Sequence, residues 1–241
     1  MSEWETVRTK RRGKGRRVPR VVVDACCVAH AAPKNEPEED LAVPPDFAAR
    51  HAARCAELAV HAWFRATLAS LRARVAAVDV VACYGLGSVF SSRNAEWQLA
   101  FLALVADSYG ARASAHDPIL QCAEVTALGA LGVAAAPPLD GSPRPPDADR
   151  VLYYMPHCPM TLYAAVLTRH AGHLDRAVIV GNSFRSYADR RLGRDLDPAI
   201  DATLAVLTEV PADPGRDDLL ERPFNDTAIM LFDAPAAPGD P

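Results

Sequence analysis

From residue 78 onward the chain alternates short apolar runs with helical stretches, and this alternation restricts the fold more than any other feature. The runs cover residues 78–84, 111–116, 133–135, 151–155, 177–181, 208–211 and 227–232. Each is too short for a helix, rich in Val, Ala, Ile or Tyr, and bounded by Gly, Pro, Asp or Asn. Strands separated by helices pair in parallel, because each helix carries the chain back across a sheet face. The last two runs have no clear helix between them, so the final strand is expected to be antiparallel.

The fold class expected is therefore α/β: a Rossmann-like, seven-stranded, mostly parallel sheet with an antiparallel last strand. The element order resembles that of class I methyltransferases, a statement about fold that says little about activity. The helices are placed at about 93–106, 117–132, 159–172 and 197–207. Asp117-Pro118 and Asp197-Pro198 supply an N-cap followed by a first-turn proline. The 93–106 stretch is apolar nearly all round, as a well-buried helix would be. No helix is visible between the third and fourth runs. The loop 136–149, with five prolines, has to make that crossing; at ~3.3 Å per residue it can reach ~45 Å.

Ahead of the sheet, Asp46 opens a helix expected to run to about residue 74, with Phe64, Leu68, Leu71 and Val75 on its apolar face. Residues 1–45 read as a basic disordered arm and linker. Residues 46–241 read as a single α/β domain: leading helix 46–76, core 78–232 and tail 233–241.

Charge is unevenly placed. Residues 1–20 carry eight Lys or Arg against Glu3 and Glu5, while the whole chain is −4, so residues 21–241 carry −10. An acidic body repels nucleic acid, which leaves only weak, salt-sensitive contact through the arm at 8–20. That arm reads equally as a nuclear import signal or as a solvated tail. No apolar run approaches the ~18 residues of a membrane helix, so no membrane contact is expected, and nothing resembles a secretory signal. The six cysteines (Cys26, Cys27, Cys55, Cys83, Cys122, Cys158) make no C-x-x-C pair and suggest no zinc site or disulfide ladder. No metal site is expected.

In an open parallel sheet, ligands bind beyond the carboxyl ends of the strands. Four polar segments fall there: Tyr84-Gly85-Leu86-Gly87-Ser88, His116-Asp117-Pro118, Met155-Pro156-His157-Cys158-Pro159 and Gly181-Asn182-Ser183-Phe184. Gly85 and Gly87 either turn the chain sharply toward the next helix or let the backbone approach a ligand, with Ser88, Ser91 and Ser92 as hydroxyl donors. They do not complete G-x-G-x-x-G, because position 90 is Phe. Asp117 either caps its helix or holds a ribose. His116, His157 and Cys158 could approach one another as a nucleophile or ligand pair, or His157 and Cys158 could be a loop histidine and a partly buried thiol. His170 and His173 end a helix, where a cation suits the dipole.

Several longer stretches occur together in order: CYGLGSVFSSRNAEWQLAFL, HDPIL, LYYMPHCPMTLY, VIVGNSF followed by Tyr187, and FNDTAIMLF. They resemble the SRR-like domain, the family named for sensitivity to red light reduced. WETVRTKRRGKGRR is similar to the basic arm common there. The likeness covers about residues 78–232, and only the length and proline content of the 136–149 loop depart from it.

The resemblance implies a regulatory protein of the cytosol and nucleus, linked to circadian timing, light signalling and regulation of haem biosynthesis, and it brings no settled catalytic activity. Its recurrent positions here are Tyr84, Gly85, Gly87, Ser92, His116, Asp117, Pro118, Met155, Pro156, His157, Cys158, Gly181, Asn182, Ser183, Phe184, Tyr187, Asn225, Asp226 and Thr227. Within the cleft, Tyr84, Gly85, Gly87, Ser88, Ser92, His116, Asp117, Pro156, Asn182 and Ser183 are the candidate ligand-binding residues. His157 and Cys158 are the candidate reactive ones. Protein partners or a small nucleoside ligand would occupy it. The alternative is an enzyme dependent on S-adenosylmethionine or another nucleotide; haem, through His157 or Cys158, is the remaining cofactor candidate.

Overall fold

A computed structural model describes residues 42–139, 149–190 and 196–233. The basic arm, most of the proline loop and most of the C-terminal tail lie outside the described residues. Seven strands form one sheet: β1 (Val80–Tyr84), β2 (Arg112–His116), β3 (Val133–Ala135), β4 (Val151–Met155), β5 (Ala177–Asn182), β6 (Leu207–Pro211) and β7 (Thr227–Phe232). Their spatial order is β3-β2-β1-β4-β5-β7-β6. The pairs among β1 to β5 are parallel, and β7 runs antiparallel to both β5 and β6. The antiparallel last strand expected from the sequence is thus observed.

Alternate residues of the central strands feed two apolar layers. Val81, Cys83, Leu152, Tyr154, Val178, Val180 and Ile229 face one cluster; Ala82, Tyr84, Tyr153, Met155, Ile179 and Met230 face the other. Burial on both faces is why these strands read as continuous apolar runs rather than as alternating ones. On the first face lies α3 (Arg93–Tyr109), capped by the Ser92 hydroxyl on Ala95 N and closed by Gly110 at φ +62°. Trp97, Leu99, Phe101, Leu102 and Val105 are all buried there. Also on this face is α4 (Cys122–Ala130). On the second face lie α5 (Met160–Arg169) and two short helices, α6 (Phe184–Arg190) and α7 (Pro198–Thr203).

Several expectations are corrected. The leading helix is two helices, α1 (Phe47–Val60) and α2 (Ala62–Arg74), broken at His61, whose ψ of 132° is extended. Trp63 N–H donates to His61 Nδ1, which leaves the proton on Nε2 to face Asp217 Oδ2 at 3.2 Å. The break therefore exchanges helical hydrogen bonding for a side-chain cap and a long-range tie. Asp46 makes no capping bond; its carboxylate pairs with Arg50.

Asp117-Pro118 does not open a helix either. The residues turn, and α4 starts at Cys122, behind a Gln121/Glu124 capping box. The short α6 and a single turn, α8 (Glu221–Phe224), between β6 and β7 are additions. His170 does end α5, as its C-cap, but it is buried there and bonds through Nε2 to the Tyr153 hydroxyl at 2.8 Å.

Candidate functional site

The four polar segments and the start of β7 do lie along one edge of the sheet, and each is tied to the next. Gly85 N–H donates to His116 O, and Gly87 N–H donates to Asp117 Oδ2 at 2.8 Å. The other Asp117 oxygen accepts from Ile119 N–H at 3.0 Å. Asp117 is thus a buried strut joining the β1 and β2 loops, and both of its oxygens already accept a backbone proton.

Glu124, which sequence reasoning did not single out, completes this strut. It is 2 % exposed. Oε1 accepts from the Ser88 hydroxyl at 2.7 Å and from Phe90 N–H at 3.1 Å; Oε2 accepts from Gln121 N–H at 3.1 Å. A buried carboxylate needs such donors to remain tolerable. Ser91 Oγ donates to Ser88 Oγ, and Ser92 caps α3. The loop that could cradle a ligand's anion is already filled from within, by Asp117 at Gly87 and by Glu124 at Ser88 and Phe90. The sequence signal for Glu124 is its place three residues after Gln121.

The β1 loop also locks against the β4 loop. Gly85 has φ +78°, and a Cβ there would lie 2.8 Å from Cys158 Sγ and 3.2 Å from Pro156 O. The Cys158 thiol donates to Tyr84 O at 3.1 Å. Burial pushes its pKa up to about 12, with the Asp117 charge adding to the effect. A neutral thiol held this way is neither a ready nucleophile nor a ready ligand.

His157 sits beside it at φ +53°, a left-handed conformation uncommon for a non-glycine residue. It is exposed and meets Arg222 O through Nε2 at 3.1 Å. His157 and Cys158 therefore engage different partners, the first on α8 and the second on β1. His116 packs on the Tyr84 ring, centroids 5.9 Å apart. The Tyr84 hydroxyl donates to Pro137 O. Among the described residues no group of three or more His, Cys, Asp or Glu could hold a metal ion.

Tyr163 joins β4 to β5. Its hydroxyl donates to Met155 O at 2.6 Å and accepts from Asn182 N–H at 2.8 Å. Gly181 leaves it room: a Cβ there would lie 2.5 Å from that hydroxyl. Beyond β5, Glu209 repeats the pattern of Glu124. It accepts from the Ser183 hydroxyl at 2.5 Å, from Phe184 N–H at 3.0 Å and from Arg185 N–H at 3.2 Å. Ser183 N–H donates to Asp226 O, Asp226 is at φ +57° and pairs with Arg190, and the Tyr187 hydroxyl donates to Cys158 O. Asn225 is exposed at the same edge, and Thr227 bonds back to Phe224 O. Glu209 leaves no comparable trace in the sequence, because it reaches the site from the middle of β6.

This is a three-layer α/β protein whose carboxyl edge is a laced row of loops, closed by its own carboxylates. Residues 64–231 match the model of the SRR1 domain, and the chain belongs to that family. It is 36 % identical over 119 residues to the SRR1-like protein of Mus musculus, a match covering 47 % of this chain and 48 % of the mouse protein. It is 29 % identical over 112 residues to the protein SENSITIVITY TO RED LIGHT REDUCED 1 of Arabidopsis thaliana, covering 44 % and 40 % of the two chains. The match thus spans less than half the length of either relative. No solved structure matches the chain significantly. No helix among the described residues is long and apolar enough to cross a membrane.

Proposed function

We propose that the chain is a regulatory protein of light or circadian signalling and of haem biosynthesis, acting in the cytosol or nucleus through a protein partner that docks on the laced carboxyl edge. The observation that supports this most is the pairing of family membership with the state of the edge. The family relative in Arabidopsis is named for red-light sensitivity. The edge keeps His157 and Asn225 exposed, two left-handed non-glycine positions (His157 and Asp226), and donors that are otherwise satisfied internally. Strain held at an exposed position favours a role in recognition. Affinity capture with the full chain tests the reading: one specific partner should be retained by the wild type and lost by His157→Ala with Asn225→Ala. A partner retained equally by the double variant, or turnover of a metabolite by the pure protein, overturns it.

A second reading has its own support. The order β3-β2-β1-β4-β5-β7-β6 with β7 reversed supports the resemblance to class I methyltransferases read from the element order, and Asp117 follows β2, where such a site would hold a ribose. In that reading Gly85 to Ser88 and Asp117 take the nucleoside of S-adenosylmethionine or another nucleotide. The Gly87 and Phe90 N–H groups and the Ser88 hydroxyl would first have to leave Asp117 and Glu124. That competition places the adenosine reading second.

A further inference from the structure

Away from the laced loops, the sheet ends on one side at β6, which has β7 as its only neighbour. We infer that the outer edge of β6 pairs with the same edge of a second copy of the chain, the two strands running antiparallel about a twofold axis at Glu209.

The inference rests on which main-chain groups of β6 are already spent. In an antiparallel pair alternate residues bond to the neighbour, and those between them face the other way. Ala212 N–H donates to Thr227 O and Asp233 N–H donates to Val206 O. With the register of β6 on β7, these bonds assign Thr208 and Val210 to β7 and turn the main-chain groups of Leu207, Glu209 and Pro211 outward. Leu207 has its side chain in the second apolar layer, whereas Thr208 and Pro211 are exposed. Among the described residues, the outward groups have one partner: Arg185 Nη2 donates to Leu207 O at 3.3 Å.

What remains is complementary to itself in one register. With Glu209 opposite Glu209, the two residues exchange reciprocal N–H···O bonds, and Leu207 N–H meets Pro211 O of the second copy. The return bond, from Pro211 N to Leu207 O, is the one a proline cannot give, and that carbonyl is already served by Arg185. A shift toward Pro211 leaves Glu209 O facing a proline nitrogen. A shift toward Leu207 gives Leu207 O a donor it does not need and drops Pro211 out of the pair. Charged residues and prolines usually protect an edge from such pairing. Here Pro211 stands where no bond is required, and Glu209 is turned onto its own α6, where the Ser183 hydroxyl and the Phe184 and Arg185 N–H groups hold its charge. Thr208 and Val210 become cross-strand neighbours, a β-branched pair that suits a sheet.

Sedimentation equilibrium of the full chain is the test. The wild type should show a reversible monomer–dimer equilibrium. Arg185→Ala leaves Leu207 O without a donor once the dimer covers it, so the dimer should weaken about tenfold or more. Adding Pro211→Ala supplies the missing N–H and should recover that loss. Oxidation of a mixture of Thr208→Cys and Val210→Cys chains should link these two positions, read by peptide mass spectrometry, because they are directly opposed across the axis. A wild type that stays monomeric at every concentration, a dimer indifferent to Arg185→Ala, a loss that Pro211→Ala does not recover, or no link between positions 208 and 210 overturns the inference.

Discussion

Gly85 and Cys158 interlock: the thiol fills the space a Gly85 side chain would need, a Cβ there lying 2.8 Å from Sγ. Gly85→Ala meets that clash and adds a left-handed alanine. It should cost about 2–4 kcal/mol in urea unfolding. Combined with Cys158→Ala it should cost about 1 kcal/mol less than the two single changes summed, because the obstructing sulfur is gone. Strict additivity would place the cost on the φ of +78° and on Pro156 O, 3.2 Å from the Cβ, instead of on the sulfur.

Glu124→Gln keeps the shape but turns an amide toward donors. The Ser88 hydroxyl and the Phe90 and Gln121 N–H groups lose a charged acceptor, and a cost of about 2–3 kcal/mol is expected. The α3 N-terminus should loosen with it, visible as faster amide exchange at Phe90 and Ser91. A neutral substitution would mean that Asp117 holds the loop unaided.

Much of this architecture is legible in the residues. The apolar runs mark the strands, and most plainly at the centre (β1, β4, β5 and β7), where both sheet faces are covered and burial is written almost continuously along the run. The antiparallel end follows from the absence of a clear helix between the last two runs. Other features are not legible, for physical reasons. His61 breaks the leading helix with the help of Asp217, far along the chain, and no local propensity announces such a tie. Asp117-Pro118 has the local signature of a helix start, but the Asp117 carboxylate is taken by the Gly87 N–H of another loop. The polar loops do announce the carboxyl edge; that carboxylates from α4 and β6 close it is a tertiary fact.

Cys158 should resist alkylation. With its thiol buried and its pKa at about 12, iodoacetamide at roughly pH 8, below the ordinary thiol pKa, should modify exposed Cys122 and spare Cys158 and Cys83 while the protein stays folded. Peptide mass spectrometry reads this directly. The same shift sets an alkaline limit. The native state keeps the proton above the ordinary thiol value of 9.0, where the unfolded chain has released it. The stabilisation is thus complete below the unfolded value of 9.0 and declines as pH rises toward about 12. In Cys158→Ala this part of the alkaline decline should vanish.

Tyr163→Phe removes the donor to Met155 O and the acceptor of Asn182 N–H, leaving both backbone groups buried and short of a partner. A loss of about 1–3 kcal/mol is expected. Gly181→Ala made together with Tyr163→Phe should be tolerated better than Gly181→Ala alone, since the hydroxyl 2.5 Å from the new Cβ is absent. The opposite ranking would place the strain of Gly181→Ala on Met155 O.

The most direct measurement is thermal denaturation of the full chain with saturating S-adenosylmethionine, S-adenosylhomocysteine, ATP and NAD, each repeated in Asp117→Asn. A ligand at about 100 times its dissociation constant adds about 2.7 kcal/mol, a shift of several degrees. With Asp117 and Glu124 already closing the glycine loop, no nucleotide should produce a rise that depends on Asp117. A rise of several degrees in the wild type that disappears in Asp117→Asn would contradict this, and would make the carboxyl edge a nucleotide site instead of a docking surface.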